Sequence, residues 1–348
     1  MNGYQVFKPM YGAKRLLTAC VLLLGFSLIN TAIADETDER FLYRESVREY
    51  IRQISSEHDL NPHRIAGLFA RLTRQQSILD AISRPAERTL TWEGYRPIFI
   101  TDDRINGGKR FAQEHKAELE RAQAQFGVPA EIITAIIGVE TFYGRITGSY
   151  RVLEALATLA FDYPRRAEFF RSEMSEFILL GEAEGWQTVN IKGSYAGAMG
   201  MPQFIASSYR QYAIDFDGDG KRDLFDSTAD IIGSVANYLS QHGWVADAPI
   251  AERWQPASGI TDPMRALVRE RLQPVIAADT VRALGFDSAD LARATTKNRL
   301  ISVMTMDGAG EQELWVGYRN FYAITRYNHS RLYAMAVFQL AQAIGPLK

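Results

Sequence analysis

Five aspartates fall within the twelve residues Asp215 to Asp226, which read DFDGDGKRDLFD, at relative positions 1, 3, 5, 9 and 12, with Gly220 at position 6. A hard cation takes about six to eight oxygens at short range, and alternate residues of a tight loop point inward while the glycine makes the sharp turn. This is the spacing of an EF-hand calcium loop, in which Asp215, Asp217, Asp219, Asp223 and Asp226 offer carboxylates and Lys221 its carbonyl. The sequence holds no second such loop, so the expectation is one structural Ca2+ rather than a paired sensor, and no organic cofactor. A different chemistry rests on one carboxylate. After Pro129, Ile133, Ile136 and Glu140 are spaced i, i+3, i+7, which puts the glutamate on the apolar face of a helix and in its last turn. Burial and the negative end of the helix dipole both raise a carboxyl pKa, as a general acid working near neutrality requires. On the helix alone, an exposed terminal glutamate fits the pattern equally well.

Helices must position these groups. Residues 39–80 read as two helices, with Val47, Tyr50, Ile51 and Ile54 on one stripe and a break at Asn61-Pro62. The pattern loosens between Ile82 and Ile105, which reads as an extended excursion. Lys109 to Phe126 reads as one charged amphipathic helix ended by Gly127, and Pro129 opens an apolar helix running to Tyr143 and stopped by Gly144. Further helices are expected over 152–160, 167–184, after the aspartate loop, and 330–344. Between Trp244 and Val316 the segments Pro274-Val275-Ile276, Arg299 to Met304 and Glu313 to Val316 are short and separated by turns such as Asp307-Gly308, the texture of a small β-rich unit.

The first thirty-four residues read as a cleavable signal: Lys8, Lys14 and Arg15 precede an apolar run, and Ala32-Ile33-Ala34 supplies the small residues of a cleavage site. That predicts a soluble periplasmic protein. Leu17-Thr18-Ala19-Cys20 offers an alternative, a lipobox giving an outer-membrane lipoprotein, although the apolar run before Cys20 is then very short. Removing the signal leaves thirty-six basic against forty-one acidic residues, a net charge of about −5, which argues against a nucleic-acid partner. The mature chain then holds no cysteine, so a buried core and the calcium must supply its stability. Gly193 to Gly200 follows no strand pattern and lacks the Lys-Ser/Thr ending of a phosphate-binding loop. His58, His63, His115, His242 and His329 show no metal spacing and read as surface or structural.

Five segments together resemble the lytic murein transglycosylase B family: 138–144 (GVETFYG), 161–166 (FDYPRR), 193–200 (GSYAGAMG), Gln203-Phe204, and 320–328 (NFYAITRYN). The resemblance runs in order from about residue 40 to the C-terminus. It implies a mainly α fold: a lysozyme-like helical core carrying the EF-hand-like loop, a flanking helical domain and a small β-rich domain. The implied division is 1–34 signal, 35–105 helical N-terminal domain, 106–245 catalytic core with the calcium loop, 246–318 β-rich domain, and 319–348 returning to the core. By resemblance Glu140 is the single catalytic acid, and Ser194 and Gln203 are polar groove residues. Tyr95, Tyr238, Tyr327, Asn328 and Tyr333 line the site, and Arg165 with Arg166 lies near a peptide stem or sugar oxygen. Related loops take their last acid a few residues beyond Asp226, where Asp230 is available, so either residue remains open as the closing ligand.

Most glycosidases need two carboxylates, yet no second acid falls in these motifs around Glu140, and Asp162 and Glu154 read as structural. The expected reaction is therefore cleavage of the MurNAc-GlcNAc β-1,4 bond of peptidoglycan without water, the sugar's own 6-hydroxyl closing a 1,6-anhydro ring. A hydrolytic muramidase and an inactive, calcium-stabilised peptidoglycan-binding protein are the alternatives. The expected partner is the glycan strand, engaged by a monomer; other wall enzymes are not readable from the sequence.

Overall fold

The computed structural model describes residues 40–84, 89–270, 272–296, 299–308 and 310–347; the signal segment and the lipobox lie outside them. The N-terminal helices are α1 (Glu45–His58), α2 (Pro62–Phe69), α3 (Gln76–Ile82), α4 (Trp92–Phe99), α5 (Asp102–Glu114), α6 (Lys116–Phe126) and α7 (Ala130–Thr141). A short strand β1 (Tyr150–Arg151) precedes α8 (Val152–Asp162) and α9 (Ala167–Ala183). Then come β2 (Lys192–Gly193), α10 (Ala206–Tyr212) and α11 (Thr228–Gln241). The next unit contains β3 (Ala251–Trp254), α12 (Asp262–Arg265), β4 (Ile276–Ala277), α13 (Ala278–Ala283), α14 (Ala289–Thr296), β5 (Leu300–Asp307) and β6 (Gln312–Gly317). Two helices close the chain, α15 (Arg319–Tyr327) and α16 (Arg331–Ile344).

Several expectations change at the boundaries. The stretch 82–105 is not extended: it contains α4 and the start of α5. Pro97 costs α4 a backbone hydrogen bond, but Trp92 and Tyr95 bury their side chains, and packing outweighs the breaker signal. Residues 109–126 are not one helix either, because His115 (φ −114, ψ 32) breaks the run between α5 and α6. The region read as two helices, 39–80, holds α1 and α2 and reaches into α3; the break at Asn61 is as expected, its side chain accepting hydrogen bonds from the His63 and Arg64 amides.

Helix α7 is the centre of the molecule. Ile132, Ile133, Ile136 and Ile137 are buried around its circumference, and α5, α6, α11 and α16 pack against it. A helix apolar on all sides must be surrounded. The small unit is β-rich only in part, a four-stranded antiparallel sheet ordered β3-β6-β5-β4 combined with short helices. Alternation along β5 and β6 splits its side chains between two cores. Ile301, Val303, Leu314 and Val316 join a separate cluster with Trp254, Val281 and Leu291, whereas Met304, Met306 and Trp315 join the main core.

The N-terminal helices are tied to α8 through Asp162, which pairs with Arg44 and, more loosely, with Arg74 at 3.8 Å. The guanidinium of Arg44, 3% exposed, donates from both terminal nitrogens to the two oxygens of Asp162, each at 2.9 Å. Removing one member of such a pair leaves the other charge desolvated. Arg44→Ala should therefore lower the unfolding free energy by about 3 kcal/mol, measured by urea denaturation; an unchanged midpoint would contradict this role.

Candidate active site

Glu140 is half-buried and stands one residue before the end of α7. The helix stops at Thr141, two residues earlier than the glycine signal suggests, because Phe142 (φ 52) and Tyr143 (φ 59) both take left-handed backbone. Such conformations are costly for bulky residues and persist only where the surroundings over-determine them. Here Tyr143 Oη donates to Arg104 O at 2.9 Å, and its ring lies against Gly107, Gly108 and Gly138. A Cβ on Gly138 would fall 2.5 Å from Tyr143 Oη, so this glycine makes room for the ring. Thr141 Oγ1 donates to Met201 O at 2.9 Å and accepts from Gly144 N, which fastens the helix end to the glycine-rich loop.

That loop is itself closely packed. The β1–β2 ladder pairs Tyr150 with Gly193, where any side chain would run into Ala198 O. Ser194 Oγ accepts from the amides of Ala196 and Ala198 and so shapes the turn. Gln203 (φ 53) donates through Nε2 to Thr147 O at 3.1 Å and Gly200 O at 2.9 Å, binding the segment after Glu140 to the loop.

From the far end of the chain, α15 and α16 bring tyrosines to the acid. Tyr333, 2% exposed, donates its phenol to Glu140 Oε1 at 2.5 Å across 193 residues of sequence. Tyr327 stacks on Tyr333 (ring centroids 6.3 Å apart, planes 12°) and donates to Pro202 O at 2.6 Å. Tyr238, on α11, donates to Arg326 O at 2.5 Å and packs against Phe204, Tyr212, His242 and Tyr327. Burial first, and then the negative charge of Glu140, raises the pKa of both Tyr327 and Tyr333, so both phenols stay protonated donors at neutral pH. Tyr238 is likewise raised by burial.

Tyr95, as buried as Tyr333 at 1% exposed, packs on Phe99 at 5.0 Å and acts electrostatically on Tyr333, the phenol that touches the acid. Arg165 and Arg166 are exposed on the turn between α8 and α9. Arg166 covers the Phe169 ring at 4.1 Å and adds positive potential at His329, one residue beyond Asn328. His242, read from sequence as surface or structural, lies face-on to Tyr238 at 4.1 Å with Nδ1 donating to Tyr238 O. Burial lowers its pKa, which keeps the ring neutral. The signal for this stack was the i, i+4 spacing of Tyr238, on α11, and His242, the residue that caps it. Asp162 and Glu154 are engaged elsewhere: Asp162 binds Arg44, and Glu154 accepts from Thr73 and Arg151.

In the aspartate loop, carboxylate oxygens of Asp215, Asp217 and Asp230 all lie within 4.8 Å of one another. Asp230, fully buried in the first turn of α11, accepts from the amides of Phe216, Asp217 and Asp223. Asp219 accepts from Lys221 N, and Asp223 from the Phe225 and Asp226 amides, so these two shape the loop. Three convergent hard-oxygen donors, one of them buried, fit a divalent cation; Asp226 is not part of this group.

Comparison with known proteins gives a consistent family. A model of the Transglycosylase SLT domain matches residues 43–342. Membrane-bound lytic murein transglycosylase B of Escherichia coli (strain K12) is 38% identical over 315 residues, 88% of this chain and 84% of that protein. The soluble lytic transglycosylase SltB1 of Pseudomonas aeruginosa is 47% identical with a TM-score of 0.79, over 86% of this chain and 98% of its own. An Escherichia coli lytic transglycosylase solved in complex with calcium is 38% identical with a TM-score of 0.75, over 85% of this chain and 91% of its own.

The cradle around Tyr143 can be tested without reference to activity. Alanine normally stabilises a helix over glycine by about 1 kcal/mol, but Gly138→Ala should lower the melting temperature, because overpacking a filled site costs roughly 1–3 kcal/mol. A variant as stable as the wild type would show that Tyr143 does not depend on this space.

Proposed function

The chain belongs to the lytic murein transglycosylase B family, and from that premise we propose Glu140 as its one catalytic acid, serving both halves of the reaction. The protein is an enzyme that cleaves peptidoglycan glycan strands without hydrolysis. It carries the family's mainly α, lysozyme-like helical core with a small β-sheet region. The observation that carries the assignment of the acid is the Tyr333–Glu140 hydrogen bond at 2.5 Å, beside Tyr327 and Tyr238, whose phenol pKa values the charge of Glu140 also raises.

In this reading Glu140 first protonates the glycosidic oxygen between MurNAc and GlcNAc, and the N-acetyl group of MurNAc stabilises the cation that forms. Glu140, now a carboxylate, takes the proton from the 6-hydroxyl of the same sugar, which closes the 1,6-anhydro ring. Holding that hydroxyl at the reacting carbon gives it a high effective molarity and removes the need for a second carboxylate. Ser194, Gln203, Tyr327, Asn328 and Tyr333 shape the sugar site, with Tyr238 and Tyr95 behind them, and Arg165 and Arg166 offer positive charge to a peptide stem. We take 246–318 as a separate β-containing unit, since it encloses a buried cluster of its own. The signal sequence supports a soluble periplasmic enzyme.

Glu140→Gln keeps shape and most contacts but removes the transferable proton. Release of anhydro-muropeptides from purified sacculi should fall by about 100-fold to 10,000-fold or more, with folding intact by circular dichroism. A near-wild-type rate would exclude Glu140 as the acid.

We also propose that Asp215, Asp217 and Asp230 hold a structural Ca2+, with Asp219, Asp223 and the Lys221 carbonyl as the remaining loop donors. Its charge would relieve the mutual repulsion of the carboxylates and couple loop folding to binding. Excess chelator should lower the melting temperature of the wild type and leave Asp230→Asn nearly unaffected. A wild-type melting curve that ignores chelator would contradict this.

A further inference from the structure

A cavity of about 450 Å3 opens where the turn after α11 meets α14 and the start of β5, and its walls include none of the residues gathered around Glu140. Ligand sites favour both this size and a junction between two packed units. Three guanidinium groups, Arg293, Arg299 and Arg319, and one carboxylate, Asp247, line it. Arg293 is paired with Asp290. Arg319 is held by the carbonyls of Gly243 and His242, which fix the guanidinium without neutralising it. Arg299 is half-buried, and neither it nor Asp247 has an ion-pair partner among the described residues.

The turn that presents Asp247 is built rather than loose. Asp247 takes left-handed backbone (φ 57), a strained conformation that needs support from its surroundings. Asn320 supplies it: fully buried, it accepts from Val245 N at 2.8 Å and donates to Val245 O at 2.8 Å and Ala248 O at 2.9 Å. This asparagine opens the 320–328 motif, yet it makes no contact with the acid site. The same helix, α15, thus has Arg319 at the cavity and Tyr327 beside Tyr333 at its other end, about 12 Å apart at the helical rise.

We propose that this cavity binds the free end of a peptide carried by the glycan strand. The inference rests on the reading of the chain as a peptidoglycan enzyme. Arg299 and Arg319 receive a carboxylate by charge-assisted hydrogen bonds, Asp247 receives an amine, and Ala248, Pro249 and Leu300 supply apolar wall for small side chains. With Arg293 paired to Asp290, Arg299 and Arg319 beside Asp247 present two guanidinium groups and one carboxylate that have no ion-pair partner among the described residues, which suits a zwitterionic peptide with one excess carboxylate; Asp247 would repel a phosphate dianion. A five-residue peptide spans at most about 17 Å extended, longer than the roughly 12 Å that separates Arg319 from Tyr327 along α15.

Isothermal titration of the full chain with a sugar-free stem pentapeptide, and with the same peptide amidated at its C-terminus, tests the proposal. The free acid should bind saturably, and both amidation and Arg299→Gln should weaken binding by about tenfold or more. Glu140→Gln should bind the peptide as wild type does, which separates the cavity from the acid site. Arg299→Gln should also keep its melting temperature and its turnover of peptide-free glycan while losing kcat/KM on peptide-bearing strands. Equal binding of acid and amide, indifference to Arg299→Gln, or no binding by an enzyme that still releases anhydro-muropeptides overturns the cavity proposal and leaves the enzymatic reading standing. Absence of both binding and turnover overturns both.

Discussion

A carboxylate at the C-terminal end of a buried apolar helix is in a poor place for a charge, and the architecture around α7 is organised to keep it there. The helix dipole disfavours an anion in the last turn by a few tenths to about 1 kcal/mol, and partial burial adds to the cost. Glu140 stays because the chain on either side of it is immobilised. Arg104, whose guanidinium donates to Gly138 O at 2.9 Å, and Tyr143 hold the helix end from one side. Thr141 and Gln203 lash it to the glycine-rich loop from the other. Tyr333 then meets the acid with a hydrogen bond from a helix that packs along α7. A phenol is suited to this, since it donates to the carboxyl group in either of its protonation states and its own proton is retained by burial.

Three other buried or half-buried acids are committed to the fold. Glu173 is engaged by the Ser207 amide and hydroxyl, Glu154 by Thr73 and Arg151, and Asp162 by Arg44. Each is satisfied by partners that join separate elements, so each works as a fastening. With these acids committed elsewhere, the mechanism proposed above takes its second functional group from the substrate, and in that proposal Tyr327, Tyr333 and Tyr238 form the aromatic wall of the sugar site.

Local signals in the sequence located most of the helices well. The stripe of Val47, Tyr50, Ile51 and Ile54, the cap at Asn61 and the face shared by Ile133, Ile136 and Glu140 each depend on residues within two turns, and the structure has all three. Errors arose where tertiary packing outweighed local preference. Pro97 reads as a breaker yet sits inside a helix anchored by Trp92 and Tyr95, and Phe142 takes a left-handed conformation that a glycine two residues later seemed to claim. The Tyr333–Glu140 contact spans 193 residues, a separation at which no periodicity is informative; only resemblance to a family pointed to it. Asp230 was similarly ambiguous, since position 12 of the loop already offered an aspartate, and three-dimensional convergence on Asp215 and Asp217 favours the later residue.

The most direct test of the lone-acid account is to digest purified sacculi in water enriched in heavy oxygen and determine the mass of the muropeptides released. If the 6-hydroxyl of MurNAc is the nucleophile, the new muramic ends are one water lighter than reducing ends and carry no solvent oxygen. Reducing ends labelled with heavy oxygen would mean that water attacks the sugar, and a site with Glu140 as its single acid would then be the wrong description of this enzyme.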